Sequence, residues 1–265
     1  MVNVSSGMLP VKACLQCLWL CLFSFGMIAH AGNVVIMTVE EPDNYDAVNS
    51  MNSFASDDLR PRGYQVIIVV GDRPLKHHFE GLVTALKNAD LLILFSRRRF
   101  LPKDQMDAIR THLNAGKPLL GIRTANHAFI PRPKDIVDAG LTIWPEFTHE
   151  VLGGENAGYE TQGLPYTVNA PAGIQTSLLD GVNAANIRGH QSLYKVLPLA
   201  ADATPILMGI PGAGTTTPAQ PVAWIRSYGA NKAGIFYTSL GAPEDMRIAD
   251  VRRLLVNAVN WLIKP

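Results

Sequence analysis

Four short apolar runs recur in the first half of the chain: residues 34–39, 65–70, 89–95 and 117–123. Each is bounded by glycine, proline or charge, and each is apolar at consecutive positions. That is the pattern of parallel strands covered on both faces. The stretches between them, 45–59, 79–88 and 102–115, read as helices. The last opens at Pro102, stops at Gly116 and carries Met106, Ile109 and Leu113 on one face. Alternating strands and helices predict right-handed crossovers and an α/β fold, a doubly wound and mostly parallel sheet in three layers. Ligands of such sheets lie beyond the carboxyl ends of the strands. That places the candidate chemistry at 38–41, 96–100 and 123–129.

The second half is harder to read. Residues 151–220 are rich in Gly, Pro, Asn and Thr, with extended candidates at 166–169, 192–196 and 205–209 and a turn-rich loop at 211–220. This region reads as decoration on the same domain. Strands at 222–226 and 233–239 follow, then a helix over 248–263 with a stripe of Val251, Leu254, Leu255, Ala258, Val259 and Leu262. There is no internal repeat.

Residues 1–31 read as a cleavable export signal. Lys12 gives the basic start, 13–28 is apolar, and Ala29-His30-Ala31 sets small residues at the cleavage positions before Gly32. The run is shorter than the ~20 residues a spanning helix needs. All three cysteines, Cys14, Cys17 and Cys21, lie inside it, so the chain that remains after cleavage has no thiol. That excludes a cysteine nucleophile, a disulfide and a Cys-ligated metal, and it suits a periplasmic or secreted protein. The expected domains are therefore the signal at 1–31 and one domain over 32–265.

Composition narrows the partners. With 48% hydrophobic and 17% charged residues the chain is too apolar for disorder. Lys and Arg total 23 against 22 Asp and Glu, and Lys12 is the only charged side chain before Gly32. A neutral mature chain lacks the footprint of a nucleic-acid binder, and membrane contact is expected only through the signal. Gly153-Gly154 lacks the Gly-x-Gly-x-x-Gly context of a nucleotide loop. No cofactor is expected. The histidines are too scattered for a metal site.

Several residues could carry chemistry. Arg123 and His127 follow the fourth apolar run, where the chain turns, on this reading into a helix. Arg123 could clamp a carboxylate or a sugar hydroxyl, or pair with a neighbouring acid. His127 could act as a general acid or base, or cap a turn. Arg97, Arg98 and Arg99 leave the third run, and one or two of them could face a pocket. Glu40 and Glu41 leave the first run, as bases, sugar ligands or a solvated turn. The segment Trp144 to Glu155 sets aromatics beside His149, Glu150 and Glu155, as a sugar cleft or as ordinary packing. Glu244 and Asp245 could sit at the rim of the same cleft, but read rather as the acidic start of the last helix.

The segments "RRRFLPKDQMDAIRTHLNAGKPLLGIRTANHAF", "WPEFTHEVLGGE", "SLYKVLPLAADATPILMG", "PVAWIRSYGANKAGIFYTSLGAPEDM" and "RRLLVNAVNWLI" resemble, in order and spacing, the trehalose-utilization (ThuA-like) family. The resemblance implies a flavodoxin-like sheet of the class I glutamine amidotransferase type, and a role with disaccharides or glycosides, notably 3-keto sugars. On this reading Arg123, His127 and Glu40 are catalytic, and Arg97, Arg98, Arg99, Glu155, Tyr194 and His149 bind a small carbohydrate. This chain has Tyr159 and Ala242 where many relatives have histidine. The alternatives are an enzyme that cleaves or isomerises a keto-glycoside and a binding or accessory module that has lost catalytic imidazoles. Self-association stays open.

Overall fold

A computed structural model describes residues 1–2, 31–71, 76–160, 164 and 166–264. The expected signal, cysteines included, falls almost wholly outside the described residues. Eleven strands occur among those residues: β1 Gly32–Val39, β2 Tyr64–Gly71, β3 Leu91–Phe95, β4 Leu101–Pro102, β5 Leu119–Ile122, β6 Leu141–Thr142, β7 Tyr166–Asn169, β8 Arg188–Gly189, β9 Thr204–Pro211, β10 Gln220–Tyr228 and β11 Ala233–Thr238. The four helices are α1 Ala47–Ser53, α2 Leu82–Lys87, α3 Lys103–Asn114 and α4 Ala249–Ile263.

Nine strands form one sheet in the order β2-β1-β3-β5-β11-β10-β9-β7-β8, and β4 and β6 form a small ribbon. From β2 to β11 every pairing is parallel. From β11 to β8 every pairing is antiparallel. The fold is thus the expected α/β doubly wound arrangement, with an antiparallel wing built from the region that was hard to read.

Successive strand side chains point to opposite faces, and β1 shows how this builds two cores. Val34 and Ile36 join one cluster with Met51 of α1 and Leu254, Leu255 and Val259 of α4. Val35, Met37 and Val39 join another with Leu82 and Leu86 of α2 and Met106, Ile109 and Leu113 of α3. All these side chains are buried, and each fully buried Leu, Ile or Met contributes about 1.5–3 kcal/mol.

Two local expectations are corrected. The helix expected over 45–59 starts only at Ala47, because Tyr45 and Asp46 take left-handed backbone at φ 56° and 48°. The chain after β5 does not enter a full helix. It makes a single 3-10 turn, Arg123–His127, since Arg123 at φ 42° cannot begin a regular helix.

Candidate functional site

The site is built at the carboxyl ends of β1, β3, β5 and β11. The amide of Asn44, just beyond β1, ties three of these ends together. Its nitrogen donates to the carbonyls of Val39 (3.2 Å) and Phe95 (3.0 Å), and its oxygen accepts from the Thr124 hydroxyl at 2.7 Å. Asn44 is fully buried.

Arg123 lies beneath this layer with no exposed surface. One guanidinium nitrogen donates to the Ser239 carbonyl beyond β11 at 2.7 Å, and the Tyr237 hydroxyl donates to the Arg123 carbonyl at 2.8 Å. The guanidinium stacks between two rings, 4.1 Å from the Tyr45 centroid and 4.9 Å from that of Tyr194. Among the described residues its Nε and Nη2 make no hydrogen bond of good geometry, and neither do the nearby hydroxyls of Tyr166 and Ser239, though Tyr45 and Tyr166 lie close enough to act on the guanidinium. Burial disfavours the charge, but Tyr194, Tyr45 and Tyr166 outweigh it and shift the group upward, so Arg123 stays a cation. Burial likewise pushes the Tyr194 hydroxyl up, against the pull of Arg123, so it stays protonated.

A hollow of about 820 Å³ opens above this layer, lined by Tyr45, Arg97, Arg98, His127, Tyr194 and Glu244 among others. Strained backbone concentrates here. Five non-glycine residues have positive φ among those described, and Tyr45, Asp46, Arg98 and Arg123 are four of them. Such strain persists where packing over-determines the backbone, and it gathers at functional sites.

The three adjacent arginines divide their tasks. Arg99 is buried on Glu41 at 2.6 Å, and Arg97 pairs with Glu41 at 3.6 Å and with Asp43. Among the described residues the Arg98 guanidinium donates only to the Ile130 carbonyl, at 2.7 Å. His127 stands half-buried beside them, its ring tilted against Tyr194 at 6.1 Å. Burial first, then Arg98, Arg97, Arg123 and Arg132, push its pKa down to about 3. The imidazole is neutral at ordinary pH and can accept a proton or a hydrogen bond.

The far wall comes from two paired segments. The backbones of 155–160 and 193–196 exchange hydrogen bonds, with one antiparallel bridge between Tyr159 and Tyr194. The stretch expected to be extended at 192–196 is therefore extended, yet it forms no regular strand. The turn before it is pinned by Trp224, whose indole donates to the Leu152 carbonyl at 2.6 Å, and by Asn126, which donates to the Glu155 carbonyl at 3.0 Å.

Arg97, Arg98, His127 and Tyr194 thus meet in one hollow. Arg123 lies beneath it, covered by the rings of Tyr45 and Tyr194. Arg99 braces Glu41. Glu40 lies in a neighbouring hollow of about 690 Å³ that shares Pro42 and Asp46 with the first. His149 and Glu155 pair with each other at 2.8 Å near the surface. Neither lines the main hollow.

Three features were not singled out from sequence as site residues: Asn44, Tyr45, and a carboxylate–imidazole pair. Asp245 is fully buried, accepts from the amides of Gly241 (3.0 Å) and Ala242 (3.1 Å), and reaches His190 at 3.3 Å. Its neighbour Glu244 lines the hollow, and one of its carboxylate oxygens is buried with no partner. The available signal was position alone, one turn beyond the end of β11. Among the described residues no group of three or more His, Cys, Asp or Glu side chains could hold a metal ion, and no helix is long and apolar enough to cross a membrane.

The sequence profile of a family described as trehalose utilisation (ThuA) matches residues 75–262. A ThuA-like protein of Bacteroides uniformis has a similar crystal structure, with TM-score 0.63 at 17% identity over 88% of this chain and 92% of that one. A ThuA-like protein of Parabacteroides merdae gives 0.62 at 13% identity over 88% and 90%. These two likenesses speak to the fold. No curated protein matches the chain significantly.

Proposed function

We propose a carbohydrate-processing role for this chain, which belongs to the trehalose utilisation (ThuA) family. The observation that supports this most is the hollow at the strand ends, where a neutral imidazole, an unpaired guanidinium, protonated tyrosine and an unpartnered carboxylate oxygen meet. Such a set offers donors and acceptors on all sides of a polyol.

The reading taken furthest is elimination from a 3-keto glycoside. The ketone acidifies the hydrogen on C2. His127 takes that proton, and the electron pair forms the enolate with the C3 carbonyl. In this reading the hydroxyls of Tyr194 and Tyr45, whose rings flank the Arg123 charge, would steady the enolate oxygen. As the enolate collapses, the C1–O bond breaks, and the leaving sugar oxygen is protonated from solvent or a wall residue.

Turnover of a 3-keto-disaccharide by the purified protein tests this. His127→Gln should lower kcat by ~100-fold or more, the usual contribution of a proton-transfer group. An unchanged rate in His127→Gln and Tyr194→Phe would remove these assignments.

One observation favours a second reading. An imidazole held near 3 is a weak base. On that ground the hollow is a binding module, which would retain sugars without turning them over.

Export is part of the proposal. The sheet begins at Gly32, and among the described residues cleavage before it would break one hydrogen bond, from the Ala31 amide to the Gly63 carbonyl, and the packing of Ala31 on the core. A mature mass beginning at Gly32 is the expected result.

A further inference from the structure

We infer that the hollow selects a carbohydrate bearing a carboxylate, a sugar acid and not a neutral sugar. The inference rests on the carbohydrate reading above and names its substrate class. It comes from charge balance around the arginine loop.

Arg97 and Arg98 line the hollow, Arg123 lies beneath it, Arg99 braces Glu41, and Arg132 acts on His127. Glu41 and Asp43 neutralise Arg97 and Arg99, and Asp135 holds Arg132 at 3.1 Å. Arg98 and Arg123 form no ion pair with any described residue. Each donates in good geometry only to a backbone carbonyl, and each keeps a buried Nε with no partner. Folded proteins pair their buried charges, because an uncompensated one is costly to desolvate. Both cations act on the neutral His127 imidazole, and of the two only Arg98 lines the hollow, where no described carboxylate forms an ion pair with it and Asp135 acts on it only from a distance.

Water could meet some of the bare N–H groups, but it brings no charge. A carboxylate brings both. Its two oxygens match the planar fork of Arg98, the one of the two guanidiniums that lines the hollow. Another part of the lining speaks for the rest of the ligand. There the unpartnered oxygen of Glu244 can only accept, so it suits hydroxyl donors and repels a second anionic group. A neutral sugar leaves Arg98 without an ion pair, a dicarboxylate meets Glu244, and a sugar acid suits both.

Calorimetric titration of the purified protein with D-glucuronate, D-glucose and D-glucose 6-phosphate tests this. Glucuronate should bind at least tenfold tighter than glucose, about 1.4 kcal/mol, and tighter than the phosphate ester. Raising the salt to about 0.5 M should shrink the preference over glucose, since screening weakens only the charged contact. Arg98→Gln should bring the glucuronate-to-glucose ratio toward one. The wild-type comparison stands even if that variant fails to fold. Equal affinity for glucuronate and glucose overturns the sugar-acid inference and leaves the carbohydrate reading standing. Tighter binding of glucose 6-phosphate, or a preference untouched by salt and by Arg98→Gln, also overturns it. Binding of none of the three sugars sinks the inference and the carbohydrate reading together.

Discussion

One side-chain amide fixes the distance between the ends of β1, β3 and β5. Replacing Asn44 by alanine leaves the carbonyls of Val39 and Phe95 and the hydroxyl of Thr124 buried without that partner. A buried group left unsatisfied costs ~1–3 kcal/mol, and partial relaxation will recover some of it. We expect Asn44→Ala to lose ~3 kcal/mol in urea unfolding at about pH 7.5. A loss below ~1 kcal/mol would show that the strand ends hold themselves. Sequence alone could not single out this residue. Pro-Asp-Asn-Tyr-Asp reads as a solvated turn, and whether its Asn faces water or three strand ends depends on contacts far away in the chain. Arg123 was legible because its place at the end of a buried strand is a local property. Its burial under Tyr45 and Tyr194 was not, since those rings come from segments far off along the chain, one on either side. The arginine triplet shows the same limit. Adjacency places all three residues at one edge, but only the position of Glu41 decides that Arg99 is a brace and Arg98 is unpaired.

At the scale of elements, the parallel strands and the two longer helices were legible because their signals are short-range. β3 and β5 are consecutive apolar runs, α3 lies between Pro102 and Gly116, and α4 carries a continuous stripe. The antiparallel wing was less legible. β8 is very short, and the pairing of 155–160 with 193–196 depends on hydrogen bonds between segments well separated in sequence. The turn after β11 belongs to this less legible class, and it is also tight. Gly241 sits at φ 140°, and a Cβ there would lie 2.5 Å from the Ile122 side chain. Its amide also helps to hold Asp245. Gly241→Ala therefore combines backbone strain with a clash in the core. It should cost more than ~1 kcal/mol, the range for alanine forced into glycine's conformation, and it should move Glu244 out of the hollow. A thermal midpoint indistinguishable from the parent's would show that the turn shifts freely.

Across the whole molecule, three histidines on different elements are held neutral, burial being the largest cause for each. The Nδ1 of His77 accepts from the Phe100 amide at 3.0 Å, so a proton there would break that bond, and burial lowers its pKa. His112 faces the Pro118 carbonyl through Nε2 at 3.0 Å, while its Nδ1 is buried without a partner and would gain an unsatisfied N–H on protonation. Burial first, and then the arginines around it, push His127 down to about 3. All three pKa values lie below the unfolded value near 6.5. In acid the unfolded chain therefore takes up protons that the native chain refuses. The stability they protect is complete above pH ~6.5 and is lost as the pH falls below it. The lowered carboxyls of Asp57, Asp135 and Asp250 add to this only in the lower window, below pH ~4. One pKa unit corresponds to about 1.36 kcal/mol, so by about pH 5 His127 alone accounts for ~1–2 kcal/mol after allowance for its partial exposure. Denaturant unfolding at about pH 7.5 and 5.0 should then differ by ~2 kcal/mol or more. His112→Gln, which keeps a donor for the Pro118 carbonyl, and His77→Asn, which keeps an acceptor for the Phe100 amide, should each flatten that slope. A chain equally stable at both pH values, or a slope untouched by both substitutions, would mean that the native state takes up these protons as readily as the unfolded one does.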